Sequence, residues 1–240
     1  MILNQKKTKV MIFNFTDKYQ FTAKLDLNGE NLEVVKKAKL LGVIISDDLK
    51  WDLNTSYIVK KANKRMELLR KVANFSTSIE DKKEIYVLYV RSVLEQSSVV
   101  WHSSLTKENC EDLERVQKCA VRIILGKEYS NYENYEDALA RANLENLESR
   151  REYLCKKFAE KCLKNEKVKN MFKPRIKIHK METREEEGFD VKFANTGRLK
   201  NSAIPYMQRI LNIEEKILTE KRKNTESNKE NFPQKRRKPG

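Results

Sequence analysis

The residue types that do chemistry are present in this chain, but their spacing assembles few of them. Asp47-Asp48 is an adjacent acidic pair of the kind that binds divalent ions. Two-metal chemistry needs carboxylates converging on ions about 4 Å apart, so a neighbouring pair just ahead of Trp51 reads as a turn instead. His102, beside Ser103 and Ser104, has no nucleophile at a recognisable spacing, and neither has His179. A His next to a Ser pair reads as structural, so no hydrolytic activity is expected. Cys110, Cys119, Cys155 and Cys162 never form C-x-x-C and no paired His follows, which gives a zinc site no support. Cys155 and Cys162 are spaced as two core positions of one helix. No catalytic residue and no metal ligand is assigned.

What remains is positive charge. The chain has 50 Lys and Arg against 35 Asp and Glu, a formal +15, and an excess of that size suits a polyanionic partner such as nucleic acid. It equally suits a soluble protein with solvated Lys-rich faces, so position has to decide. Two clusters have position. Lys60, Lys64 and Lys71 recur at helical spacing opposite an apolar stripe. Lys221-Arg222-Lys223 and Lys235-Arg236-Arg237-Lys238, near the C-terminus, resemble a bipartite nuclear localisation signal, although a basic tail also binds nucleic acid nonspecifically. The first residues lack the basic start and apolar run of a secretory signal, and no stretch approaches the roughly 20 apolar residues of a membrane span. The expectation is an intracellular protein, nuclear if the tail acts as an address, with reduced thiols and no membrane partner.

The elements that would carry these groups are mostly helices. Six Gly and four Pro are sparse punctuation, which together with 35% charged residues favours long amphipathic helices over a many-stranded sheet. Residues 1 to 51 read as strands: Val10, Ile12 and Phe15 in one run, Phe21, Ala23, Leu25 and Leu27 in alternation, then Leu40 to Ile45. Asn28-Gly29 is a hairpin turn signal within 21 to 35. From Asn54 the period becomes helical, with Ile58, Ala62, Met66, Leu69 and Ala73 on one stripe. Ser78 and Asp81 fit a capping box before a helix with apolar residues on two faces, Tyr86, Val90, Val93, Ser97 and Trp101 on one and Ile85, Leu88, Tyr89 and Val99 on the other. A third helix, near Asn109 to Leu125, buries Leu113, Val116 and Ala120 and stops at Gly126. Over 135 to 165 the stripe Leu147, Leu154, Phe158 and Cys162 opposes Arg150, Arg151, Lys157, Lys161 and Lys164. A last helix with Met207, Ile210, Leu211, Ile217 and Leu218 follows a turn at Pro205. The predicted fold is α+β, mainly α: a small antiparallel β piece over 1–51, a helical bundle over 52–173, a variable segment with a terminal helix over 174–220, and a disordered basic tail over 221–240.

Several strings carry a family likeness. Leu3 to Phe13 contains Asn4, Lys7 and Thr8 in an N-x-x-K-T arrangement, followed by Leu40-Leu41-Gly42-Val43 and Leu49-Lys50-Trp51. Further on stand Leu113-Glu114-Arg115-Val116-Gln117 and the group Leu144, Leu147, Arg150-Arg151. In order and spacing these resemble the end of the palm, the thumb and the following helical region of non-LTR (LINE-type) retrotransposon reverse transcriptases, across residues 1 to about 165.

The resemblance implies a palm remnant with an L-G hairpin, a small antiparallel β piece, over 1–51, and a helical thumb and connection over 52–173. It implies that Lys7 and Thr8 lie near the phosphates of an incoming nucleotide, and that Leu41 and Gly42 form the hairpin that grips a primer end, Gly42 admitting a close backbone approach. It makes Lys60, Lys64 and Lys71 sequence-independent phosphate contacts of the thumb. The partner would be nucleic acid: template RNA, an RNA–DNA hybrid or a DNA duplex. The family's catalytic aspartates would precede Met1, so Mg²⁺ is implied for the intact parent enzyme and no cofactor for this chain. Two further readings stay open: a nucleic-acid-binding module without catalysis, and a helical interaction scaffold whose charge keeps it soluble.

Overall fold

A computed structural model describes residues 4, 7–15, 24–174, 188–214 and 217. The chain forms two compact units, Met1–Glu152 and Tyr153–Gly240. The fold is α+β and mainly helical, with a few short strands in small sheets.

In the first unit the strands are β1 (Lys9–Val10), β2 (Asp26–Leu27), β3 (Glu30–Asn31), β4 (Glu33–Val34), β5 (Lys37–Leu40) and β6 (Val43–Ser46). They pair as three separate two-stranded ladders. β2–β3 and β5–β6 are antiparallel hairpins, whereas β1–β4 is parallel, with Val10 opposite Val34. A single antiparallel piece was expected, and sequence periodicity does not distinguish the two pairings. The β2–β3 turn lies at Asn28-Gly29 as expected, both residues at positive φ (54° and 83°), which is type I′ geometry. Of the run Val10, Ile12 and Phe15, only Val10 enters a ladder. Phe13, Phe15, Leu25, Val34 and Leu40 are exposed, while Val43 is buried in the main core. Phe21 and Ala23 lie outside the described residues.

Trp51, buried, precedes α1 (Asp52–Ala73). Next comes α2 (Ile79–Ile85), where the Ser78 hydroxyl accepts from the Asp81 amide at 3.0 Å, as the capping box requires. The chain continues as a π-helical segment, Tyr86–Arg91, and then α3 (Ser92–Leu94) and α4 (Ser98–Trp101). Here the structure departs from the expected helix with two buried faces. Tyr86, Val90, Val93 and Trp101 are buried, but Leu88 and Tyr89 face solvent. A π-turn spends one more residue per hydrogen-bonded ring than an α-turn, so residues beyond it no longer follow the 3.6-residue phase. Ser97, at φ 54°, then breaks the helix.

α5 (Lys107–Leu125) begins two residues earlier than expected because Thr106 caps it, accepting from the Asn109 amide at 3.2 Å. Gly126 closes it. α6 (Tyr135–Arg141) is capped by Asn134, and α7 (Leu147–Leu163) crosses the boundary between the units. Along α7 the buried residues are Leu147, Arg151, Cys155, Ala159 and Cys162. Leu154 is half-buried and Phe158 exposed, so the stripe is rotated from the predicted one and Arg151, assigned to the basic face, points inward.

In the second unit, α8 (Glu166–Lys169), α9 (Gly197–Lys200) and a helix over 203–214 follow. The small core contains Ala159, Cys162, Phe172, Met207 and Leu211. Phe172 meets Phe189 edge to face at 6.2 Å, and Asn212 holds Phe189 by both of its backbone groups. Pro205 lies in the first turn of the last helix instead of before it; an amide there has no intrahelical partner, so its loss costs nothing. His179, Leu218 and the basic tail with Lys221, Arg222, Lys223, Lys235, Arg236, Arg237 and Lys238 lie outside the described residues.

Candidate nucleic-acid interface

α1 forms because its apolar residues recur every three or four positions. Ile58, Ala62, Met66 and Leu69 are buried along one line. At 3.6 residues per turn, Lys60, Lys64 and Lys71 fall within about 40° of arc, on the side opposite that line. All three are exposed, and none makes an ion pair among the described residues. Glu67, which lies beside that row between Lys64 and Lys71, pairs with Arg70. The helix thus presents a row of exposed ammonium groups, a pattern able to attract phosphates without reading bases.

The β5–β6 hairpin stands beside α1. Its turn is Leu41-Gly42, at φ 49° and 90°, again type I′. A leucine at positive φ is strained and Leu41 is 90% exposed, so its side chain gains nothing from burial to offset that strain. At Gly42 the positive φ favours glycine, and a further reason stands beside the one the resemblance implied. A Cβ there would run into the Gln96 side-chain amide, so the missing side chain makes room for an internal neighbour. Gln96 is itself held: Lys61 Nζ donates to its Oε1 at 3.4 Å, and Trp101 Nε1 donates to its carbonyl at 3.1 Å. The preceding residue, Glu95, accepts from Arg91 Nε at 3.2 Å and Arg150 Nε at 3.1 Å. The hairpin tip therefore rests on a well-anchored turn. One pair down from the turn, Lys39 Nζ donates to Tyr57 Oη at 2.6 Å, and Asn54 Oδ1 accepts from the Ile44 amide at 3.0 Å. Neither contact was foreseen, since each joins residues on different elements.

Lys7 and Thr8 occupy a turn at the head of β1 and not the strand itself. The Asn4 carbonyl accepts from the Lys7 amide, the Thr8 amide and the Thr8 hydroxyl, at 3.1, 3.1 and 2.9 Å. The Lys7 side chain is exposed. Asp47-Asp48 forms the predicted turn: Asp48 Oδ1 accepts from Ser46 Oγ at 2.6 Å and from the Lys50 amide at 3.0 Å. The Ser46 hydrogen bond is the main cause that holds the Asp48 carboxyl below its usual range. These bonds commit one carboxylate oxygen to the backbone turn. Among the described residues no three His, Cys, Asp or Glu side chains cluster to hold a metal.

His102 is buried, with Trp101 and Arg151 as neighbours. Arg151 Nε donates to His102 Nδ1 at 3.2 Å and the guanidinium lies 5.9 Å from the Trp101 ring. An accepting Nδ1 fixes the neutral tautomer with its proton on Nε2. Burial first, and then the Arg151 charge, push the imidazole from its ordinary 6.5 down to about 4. The folded state thus binds fewer protons than the unfolded chain below pH 6.5, so stability is full above that pH and is lost as pH falls toward 4. The difference amounts to roughly 3 kcal/mol over the whole window and about 2 kcal/mol by pH 5. Urea unfolding at pH 7 and pH 5 should show this loss in the wild type, and His102→Gln should flatten it. An equal slope in both proteins would assign the acid sensitivity to carboxylates.

The helical region also contains a clamp built around Glu114 and Gln117 of the L-E-R-V-Q string. Gln117, fully buried, accepts from Tyr86 Oη at 2.6 Å and donates to the Glu145 carbonyl at 2.9 Å and to Glu114 Oε1 at 3.0 Å. Glu114 also accepts from Tyr135 Oη at 2.6 Å and from the Leu147 amide at 2.9 Å. The L-E-R-V-Q string thus ties α5 to Tyr86, α6 and the start of α7. Comparison with protein-family models, with curated proteins and with solved structures gives no match.

Proposed function

We propose that the chain grips duplex or hybrid nucleic acid without sequence preference, as the thumb-side part of a non-LTR retrotransposon reverse transcriptase and without catalysing synthesis itself. The observation that carries this is the row Lys60, Lys64 and Lys71, exposed and without an ion pair among the described residues, opposite the buried stripe of α1. Ammonium groups spaced along a rigid helix attract phosphates wherever they lie, which suits a surface past which any template slides. The formal +15 supports the same reading. A nuclear location and a contribution from the basic tail belong to the proposal too. Titration of the chain with unrelated duplexes across a salt series tests it.

Catalysis by the chain alone is not expected: the Asp48 carboxylate is tied into its turn, and among the described residues it belongs to no group of three that could hold a metal. Primer extension on an RNA template with Mg²⁺ or Mn²⁺ should stay at background. Extension that survives repurification and disappears when an acidic residue of this chain is replaced would refute that part of the proposal.

A further inference from the structure

Where the β5–β6 hairpin meets α1, one hydroxyl lacks an acceptor. Lys39 Nζ donates to Tyr57 Oη at 2.6 Å and lies 4.5 Å from the centre of the ring. An ammonium group only donates, so the Tyr57 oxygen accepts here and its own O–H proton must point elsewhere. No acceptor for that proton exists among the described residues. Lys61, one turn further along α1, adds a second positive charge acting on the hydroxyl, and its single hydrogen bond to Gln96 leaves two N–H donors over. The Lys39 hydrogen bond, followed by the two lysine charges, lowers the Tyr57 pKa, which makes the hydroxyl a better donor, and no carboxylate is among the groups acting on it. Donors without acceptors, two of them cationic, define a receptor for an anion with several oxygens.

We infer that Lys39, Tyr57 and Lys61 form a site for one backbone phosphodiester of a bound nucleic-acid strand. The inference rests on the grip proposed above and adds the hairpin to it. Tyr57 lies about 20° of arc from Lys64 on α1, so a strand that follows the lysine row reaches this site without leaving the surface. Tyr57 to Lys71 spans about 21 Å of helix, long enough to follow several phosphates at about 3.4 Å of duplex axis each. Free phosphate or an acidic peptide shares the chemistry but lacks that continuity.

Labelled DNA duplex and RNA–DNA hybrid titrated against the full chain, over a salt series, separate the possibilities. Lys39→Gln and Lys61→Gln should each lower the salt slope by about one unit and the affinity at 0.1 M salt by about tenfold. Tyr57→Phe should weaken binding roughly threefold to tenfold with the slope unchanged, because a neutral donor releases no counterion. That split is the signature, since a purely structural role for Tyr57 does not predict it. If these three variants bind as wild type while Lys60→Ala/Lys64→Ala/Lys71→Ala loses slope, the site is wrong and the grip stands. If the triple variant is unchanged as well, both fail. Inorganic phosphate and poly-glutamate should both bind far more weakly than the hybrid. Binding of either probe as tight as the hybrid's, and lost in Tyr57→Phe, would overturn the assignment to a nucleic-acid backbone.

Discussion

Replacing Gln117 with Leu should lower the stability of the first unit by about 2–4 kcal/mol and its melting temperature by about 5–15 °C. Leu fills most of the space but accepts and donates nothing. Tyr86, fully buried, then loses the acceptor of its hydroxyl, and the Glu145 carbonyl loses its side-chain donor. Leaving a buried polar group unmatched costs about 1–3 kcal/mol, whereas removing both partners together is close to neutral. Tyr86→Phe combined with Gln117→Leu should therefore be less destabilised than the sum of the two single changes, with a coupling of about 1–2 kcal/mol. Chemical denaturation of the four proteins measures this. Additive effects would mean that the Tyr86–Gln117 bond contributes nothing and that Gln117 matters only through its volume.

The clamp shows where sequence reasoning stopped. Glu114 and Gln117 are visible in the L-E-R-V-Q string, but the partners of Gln117 stand 31 and 28 positions away, and periodicity carries no information on pairs so distant. Local signals did better. The Asn28-Gly29 turn, the Ser78 cap, the Gly126 stop and the apolar line of α1 all lie where their sequence chemistry puts them, because each depends on contacts within one turn or hairpin. α7 failed for an instructive reason. A stripe built from Leu154 and Phe158 is the more apolar choice, yet the fold buries Arg151 beneath Trp101 and leaves Phe158 outside. The aliphatic stem and planar head of Arg151 pack like an apolar residue against the Trp101 ring. Of the proposed site, the lysine row was legible because it repeats on one helix. Lys39 and Tyr57 were not, since a strand and a helix must fold together before their side chains meet.

The largest functional effect belongs to that lysine row. Each phosphate neutralised by Lys or Arg contributes close to one unit to the slope of log affinity against log salt. Lys60→Ala/Lys64→Ala/Lys71→Ala should thus reduce the slope by about 2–3 units and weaken binding by about 10²–10³-fold at 0.1 M salt, if each lysine meets one phosphate. The loss should be the same for duplexes of unrelated sequence, because backbone contacts do not read bases. Stability should change little, since the three side chains are exposed, unpaired and on a helix that Ala favours. Residual binding in the triple variant should fall further on deleting 221–240.

Fluorescence titration of wild type, the triple lysine variant and the tail deletion with one RNA–DNA hybrid, from 50 to 300 mM salt, tests the grip most directly. A slope about 2–3 units lower is expected in the triple variant, with the tail deletion keeping the remainder that α1 supplies. A slope unchanged in the triple variant and abolished by the deletion would contradict it, leaving the tail as the nucleic-acid contact and α1 as the solvated face of a scaffold.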